Sequence, residues 1–119
     1  MRTMQLLDEL KFRDNEPFAE PLLVDKDGRI LRFCLHPHQS IVEHNVPHSP
    51  FYVIVLKGEG MFAASDGKEV QIGPNSLMIF DAGENHTVRA LNEDLVLVGF
   101  LQGAPGVCED RTGGILGDA

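Results

Sequence analysis

Histidine is the residue type whose placement in this chain first indicates chemistry. Four of the five histidines fall within the thirteen residues from 36 to 48, and the fifth is His86. Neutral imidazoles bind Zn, Ni, Fe, Mn or Cu, and a set of three leaves coordination positions open for water or a substrate. The histidines are therefore the first candidates for a functional site.

His86 opens a segment in which polar and apolar residues alternate, so that Val88 and Ala90 share its face. Alternation of this kind is typical of a strand with one buried face. We therefore expect the His86 ring to face the interior, and we expect the same of His44.

His48 could complete a set of three metal ligands, His44, His48 and His86. In a fully extended strand His44 and His48 would lie about 13 Å apart, too far to converge easily on one ion. Pro47 and Pro50 flank His48 and favour a bend that could turn its ring towards the other two. The predicted cofactor is one divalent metal ion (Zn, Ni, Fe, Mn or Cu).

A competing cluster consists of Cys34, His36 and His38. Cys34 and His36 share one strand face, so the three could close a small structural zinc site. The cluster has no clear fourth ligand and no C-x-x-C clip. The other interpretation is that His36 and His38 are solvated residues near a strand end and a turn.

Other polar side chains give weaker signals. Arg32 and Arg89 could orient an anionic ligand through a bidentate guanidinium. Tyr52 should point away from the interior by strand alternation, towards another sheet or subunit. Glu43 lies on the opposite strand face from His44, which makes it a poor general base for the same site.

The elements that must position these residues are short strands. Turn sequences rich in Gly, Pro, Asn and Asp divide the chain into nine runs with strand character, which predicts an all-β sandwich or barrel. The runs are Leu22–Asp25, Arg29–Leu35, Ile41–His44, Phe51–Lys57, Met61–Ser65, Glu69–Ile72, Ser76–Phe80, His86–Leu91 and Leu95–Leu101. Met4–Lys11 is the one segment predicted to form an N-terminal helical turn. The turn should be short because Pro17 and Pro21 block its extension.

We predict three parts along the chain. Residues 1–20 form an N-terminal extension, residues 21–101 the barrel, and residues 102–119 a tail that holds five of the twelve glycines. The run Phe51–Leu56 is apolar on both faces, so we expect a second sheet or a partner subunit to cover its outer side.

The segment from Leu35 to Phe100 resembles the cupin superfamily, whose two motifs read G-x5-H-x-H-x(3–4)-E-x6-G and G-x5-P-x-G-x2-H-x3-N. His44 takes the place of the first motif's first histidine, and Gly58 that of its closing glycine. In the second motif Gly83 and His86 match. Asn75 stands where the motif begins with Gly, and Asn also tolerates the left-handed conformation that such a turn needs.

The chain also departs from this pattern. Val46 stands in place of the second histidine and Phe51 in place of the glutamate of the first motif, while Asp81 and Ala90 replace the proline and the asparagine of the second. The resemblance implies a double-stranded antiparallel β-helix, the jelly-roll barrel of the cupins, in a small single-domain protein that forms a homodimer. The superfamily's set of three histidines and one glutamate is half present at matching positions.

Composition and charge exclude several classes of partner. The formal net charge is -8, and such a surface repels nucleic acid and anionic lipid, so we expect neither nucleic-acid nor membrane partners. The longest uncharged apolar run has six residues against the roughly 20 of a membrane span. Because there is no secretion signal and only Cys34 and Cys108 are present, we expect reduced thiols and a cytoplasmic location.

Three functions remain open for such a barrel. The first is a small metal-binding cupin that holds a polar small-molecule ligand at the open metal positions, with oxygenase or isomerase-type turnover left undecided. The second is a metal-free binding or sensor module whose Phe51, Val46 and Met78 line an apolar pocket. The third is a dimeric assembly role, without chemistry, built by the apolar strand and the Gly-rich tail.

Overall fold

The computed structural model describes residues 1–103 and 113–117, apart from the side chains of residues 43 and 44. This part of the chain contains nine strands and no helix. The strands are β1 (Phe18–Asp25), β2 (Gly28–Leu35), β3 (Ser40–His44), β4 (Phe51–Lys57), β5 (Gly60–Ala63), β6 (Val70–Ile72), β7 (Leu77–Phe80), β8 (His86–Ala90) and β9 (Leu95–Gln102). All nine predicted strands are present, although β1 begins at Phe18 rather than at Leu22.

The strands form two sheets that face each other. The first sheet has the order β1-β2-β9-β4-β7 and the second the order β3-β8-β5-β6. All of these neighbours pair antiparallel. The predicted all-β class and the antiparallel jelly-roll barrel are confirmed.

Strand alternation builds the core between the sheets. On β4 the side chains of Phe51, Val53 and Val55 are buried, while those between them are half-buried. The strand is thus apolar on both faces, as predicted, and only its inner face is fully covered within one chain. Each buried Val, Leu or Phe side chain contributes about 1.5–3 kcal/mol relative to exposure. The main cluster is Leu35, Phe51, Val53, Val55, Phe62, Phe80, Val88, Ala90, Leu95, Leu97 and Leu101.

Two turns use non-glycine residues in the left-handed region. Asn75 has φ 66°, so the conformation expected for the start of the second motif is present. His38 has φ 68°, and its backbone N–H donates to the carbonyls of Ala90 and Leu91 at 3.1 and 3.2 Å. These bonds fix the turn between β2 and β3 against the end of β8.

The N-terminal segment forms a turn instead of the expected helical turn. Residues 6–9 are a turn, and the N–H of Asp8 donates to the carbonyl of Gln5 at 3.1 Å. A single bond of this kind does not propagate, because each helical turn needs the next one to offset its ordering cost.

The predicted tail is described only in part. Gly113 pairs with Val24 of β1, and the N–H of Leu116 donates to the carbonyl of Leu22 at 2.7 Å. Cys108 lies outside the described residues, so the expectation of two reduced thiols bears here on Cys34 alone, which is buried and free. In the described part of the chain, no helix is long and apolar enough to cross a lipid bilayer.

Candidate functional site

A cavity of about 250 Å³ lies between the two sheets. Among the described residues its wall is apolar except at two side chains, Arg29 and His86. The apolar wall consists of Ala19, Leu31, Phe33, Ile41, Val46, Phe51, Val53, Phe80, Val88, Leu97 and Leu101. A space with this lining favours an apolar molecule that carries one or two polar groups.

His86 is a buried polar residue of this wall, with 3% of its surface exposed. It is the first residue of β8, where the side chains of His86, Val88 and Ala90 are buried and those between them are half-buried. The ring of His86 therefore faces the interior, as the alternation predicted.

Two phenyl rings hold the His86 imidazole in place. The centroids of Phe51 and Phe80 both lie 4.9 Å from that of His86, at interplanar angles of 31° and 38°. Phe33 lies edge-on to Phe51 with 6.2 Å between centroids. Aromatic contacts at these distances contribute beyond the area that they bury. In the described part of the chain, one end of the cavity is thus an aromatic wall that contains the His86 imidazole.

The backbone places position 44 next to His86. The last residue of β3, His44, is the cross-strand partner of His86 on β8. The loops beyond these two residues are tied together, since the Asn45 side chain donates to the Asn85 side chain at 2.8 Å and the N–H of Gly83 donates to the Val46 carbonyl at 2.8 Å. The side chain of His44 lies outside the described part, so its role as a ligand stays a prediction.

His48 is exposed on the turn between β3 and β4. The bend predicted from Pro47 and Pro50 is present as a turn at residues 47 and 48, yet His48 does not line the cavity. The structure thus brings together His86 and the backbone of position 44 but not His48. The three-histidine set therefore remains a prediction.

The two departures from the first cupin motif both face the cavity. Val46 and Phe51 stand where the second histidine and the glutamate of the first motif would be, and their apolar side chains line the wall. Among the described residues there is no group of three or more His, Cys, Asp or Glu side chains that could hold a metal ion. The described side chains do not by themselves form a three-ligand set, and the side chain of His44 is not among them.

The alternative cluster of Cys34, His36 and His38 does not assemble. The Nδ1 atom of His36 lies 3.1 Å from a carboxylate oxygen of Asp94, and its ring stacks on Phe12 at 4.7 Å. Cys34 is buried, and burial raises the pKa of its thiol above the usual value. A buried thiol that stays protonated is a poor metal ligand.

Arg29 is the charged residue of the cavity wall, and the sequence analysis did not single it out. The two arginines that it did consider lie elsewhere. Arg32 is buried behind the first sheet, and Arg89 is a half-exposed residue that donates to Glu69 at 3.2 Å. The signal that would have found Arg29 is strand alternation, since it shares the inner face of β2 with Leu31 and Phe33.

The other expectations for single residues have mixed outcomes. Tyr52 points away from the cavity, as predicted, and its hydroxyl accepts a hydrogen bond from the Gln102 side chain at 2.9 Å. Val46 and Phe51 line the cavity as the metal-free hypothesis requires. Met78 does not, because it borders a separate surface depression beside Phe62.

Comparison with solved structures supports the fold. A conserved protein with a double-stranded β-helix domain from Klebsiella pneumoniae aligns with a TM-score of 0.81 at 19% identity, over 100% of this chain and 99% of that one. An RmlC-like cupin from Desulfovibrio desulfuricans aligns with a TM-score of 0.76 at 22% identity, over 85% and 96%. A predicted oxalate decarboxylase from Thermotoga maritima aligns with a TM-score of 0.63 at 23% identity, over 79% and 99%.

Identities this low establish a shared architecture and carry no activity from one protein to another. No curated protein sequence matches the chain. The sequence profile of the family described as Cupin domain matches residues 31–99, which include β3 to β8 and most of β2 and β9. The chain therefore belongs to the cupin domain family.

Proposed function

We propose that this cupin binds a small, mainly apolar molecule in the cavity between its sheets. The observation that carries the proposal is the apolar wall of a 250 Å³ cavity in which Val46 and Phe51 replace two motif ligands. A wall of this kind excludes water, and burying apolar ligand surface against it contributes favourably to the free energy of binding. This is the metal-free binding or sensor function among the three that the sequence left open.

The aromatic end of the cavity would hold and orient the ligand. Phe51, Phe80 and His86 offer stacking and edge contacts to a flat apolar group. A neutral imidazole carries one donor and one acceptor nitrogen. His86 can therefore make a hydrogen bond to a polar group of the ligand or hold a proton beside it.

A filled-cavity variant tests this function. Val46→Phe places a larger side chain on the cavity wall, and Val42→Phe makes the same change at a residue that is 77% exposed. We expect the neutral probe phenylacetamide to raise the melting temperature of the wild type and of the Val42→Phe variant, because a molecule that binds only the native state stabilises it. The Val46→Phe variant should lose this shift. Equal shifts in both variants would contradict the proposal.

A metal centre is the second proposal, and the pairing of positions 44 and 86 favours it. Opposite residues of an antiparallel pair have Cβ atoms about 4.5–5.5 Å apart, and imidazoles suit divalent transition metals. Elemental analysis of protein purified without a histidine tag tests it. Near-stoichiometric metal that is lost in His86→Ala and kept in His36→Ala would support the metal, whereas a metal-free wild type would contradict it.

The homodimer also stays a proposal, supported by the outer face of β4 and β7. Leu77 and Ile79 are 62% and 57% exposed, and they pair with Ile54 and Tyr52 on the neighbouring strand. A second copy of the chain would cover this apolar face. Sedimentation of the wild type should give a dimer that Ile79→Lys converts to a monomer, and a wild-type monomer would contradict the proposal.

A further inference from the structure

The position of Arg29 in the sheet relates it to the aromatic end of the cavity. Arg29 pairs with Leu101 of β9, Leu101 with Phe51 of β4, and Phe51 with Phe80 of β7. Directly opposite residues point to the same face of a sheet, and all four of these side chains line the cavity. One row of the first sheet therefore carries a guanidinium at one end and two phenyl rings at the other.

We propose that the ligand of this cavity is a small aryl-alkyl carboxylate, with its carboxylate on Arg29 and its ring against Phe51, Phe80 and His86. The inference rests on the proposed function, since it names the chemical class of the molecule that the same cavity binds.

The charge argument depends on where the cations lie. With a net charge of -8 the chain repels anions in general, so an anionic group needs a local cation to enter. Among the residues of the cavity wall that the structure describes, Arg29 is the permanent cation. A guanidinium has five N–H donors, so it can grip a carboxylate through two parallel bonds in addition to the contacts that it makes within the chain.

The length argument follows from strand spacing. Neighbouring strands lie about 4.8 Å apart, so the backbones of Arg29 and Phe51, two strands apart, are separated by about 10 Å. This separation leaves room for a short alkyl spacer between a carboxylate on Arg29 and a ring against Phe51. The volume agrees, because about 250 Å³ lies between the roughly 150 Å³ cavity that holds benzene and the 300–1,000 Å³ of drug-sized pockets.

Matched probes test the inference. Phenylacetate and phenylacetamide differ in charge and hardly in shape, while acetate carries the acid without the ring. Calorimetric titration should show phenylacetate binding at least about tenfold more tightly than phenylacetamide, because a hydrogen-bonded ion pair adds to the contacts of the ring. Acetate should bind more weakly than either.

Variants of two arginines test which residue produces the preference for the acid over the amide. Arg29→Gln should lower the affinity for phenylacetate to about that for phenylacetamide, so that the preference for the acid is lost, and Arg29→Lys should restore part of it. Arg89→Gln removes one positive charge from the surface pair with Glu69 and should keep the full preference.

The outcomes separate this inference from the proposed function. Equal affinities for the acid and the amide would overturn the carboxylate assignment and leave the apolar-ligand function standing. A preference that survives Arg29→Gln would overturn the role of Arg29. If neither ring compound bound, the proposed function itself would fail. Because the acid–amide comparison is made on the wild type, it holds even if the Arg29 variant does not fold.

Discussion

The two faces of β2 carry two arginines with opposite surroundings. Arg32, on the outer face, is 1% exposed and donates to the carbonyls of Leu6 and Asp8 at 3.0 and 3.1 Å and to a carboxylate oxygen of Glu20 at 2.6 Å. Arg29 lies three positions earlier and faces the apolar cavity between the sheets. The same residue type thus meets the chain's own acceptors on one side and a space large enough for a ligand on the other.

This difference separates a structural charge from a functional one. The partners of Arg32 come from the N-terminal segment and from β1, so its guanidinium fastens that segment to the outer face of the first sheet. A lysine could not replace it, because one ammonium cannot reach acceptors spread over this fork. Arg29 lines the cavity between the sheets, where the proposal places the carboxylate of the ligand.

The largest expected effect is on the outer face. Arg32→Met leaves the carboxylate of Glu20, which is 12% exposed, without its cation and removes the donor of three backbone carbonyls. Removing one partner of a buried ion pair costs about 3–5 kcal/mol of unfolding free energy. Urea unfolding should show a loss of this size for Arg32→Met, and a much smaller loss for Arg89→Gln, whose ion pair with Glu69 is half-exposed.

A double variant sharpens this prediction. Arg32→Met with Glu20→Leu replaces the ion pair by apolar side chains, and such replacements are often neutral or stabilising. We expect the double variant to regain most of the lost stability. An Arg32→Met variant as stable as the wild type would mean that the outer arginine is not structural.

The second effect concerns the inner face at Gly99 of β9. A Cβ atom at this position would meet the ring of Phe51, 2.6 Å from its Cζ atom, so in Gly99→Ala the ring has to move from its place on the cavity wall. Overpacking of this kind costs about 1–3 kcal/mol, and the altered wall should also weaken phenylacetamide binding.

Gly73→Ala serves as the matched control for Gly99→Ala. Its Cβ would meet the side chain of Glu59, whose carboxylate end can move aside, and Gly73 does not line the cavity. The control should keep phenylacetamide binding. Unchanged binding in Gly99→Ala would show that the ligand does not touch the Phe51 wall.

The smallest expected effect is a pH dependence of the unfolding free energy, caused by the Cys34 thiol on the outer face of β2. Burial raises the pKa of the Cys34 thiol above its usual value of 9.0. The unfolded chain therefore loses this proton at a lower pH than the folded chain, so unfolding becomes easier as pH rises above about 9. Below about pH 7 the thiol is protonated in both states and contributes no slope.

Comparing the wild type with Cys34→Ala separates the titration of the Cys34 thiol from that of Cys108, which both proteins retain. Between about pH 9 and 10.5 the unfolding free energy of the wild type should fall more steeply than that of the variant, by at most about 1.4 kcal/mol per pH unit. Parallel curves would indicate that Cys34 is not shielded from solvent.

The local pattern of the sequence is enough to predict the strands and the inward direction of His86. Turn residues bound each strand, and period-two alternation gives its buried face, as it does on β8. The left-handed turn at Asn75 was also predictable, because few residue types tolerate that conformation.

The structural features that local sequence patterns do not predict depend on long-range packing. The role of Arg32 depends on carbonyls more than twenty positions away, and the exposure of His48 depends on how its turn sits over the barrel. Met78 has the apolar character expected of a cavity residue, but β7 places it at another depression. Strand alternation predicts that the Arg29 side chain faces the interior, but a charged residue is not usually expected there.

Mapping where a neutral probe binds tests the central claim most directly. In a titration of the isotope-labelled chain with phenylacetamide, we expect amide shifts concentrated on β4 and β8 around Phe51 and His86. The outer side of the first sheet offers a competing, more polar depression beside Arg32, lined by Glu9 and Lys11 among others. Shifts centred on that depression, or no shifts at all, would contradict the account of the cavity as the binding site.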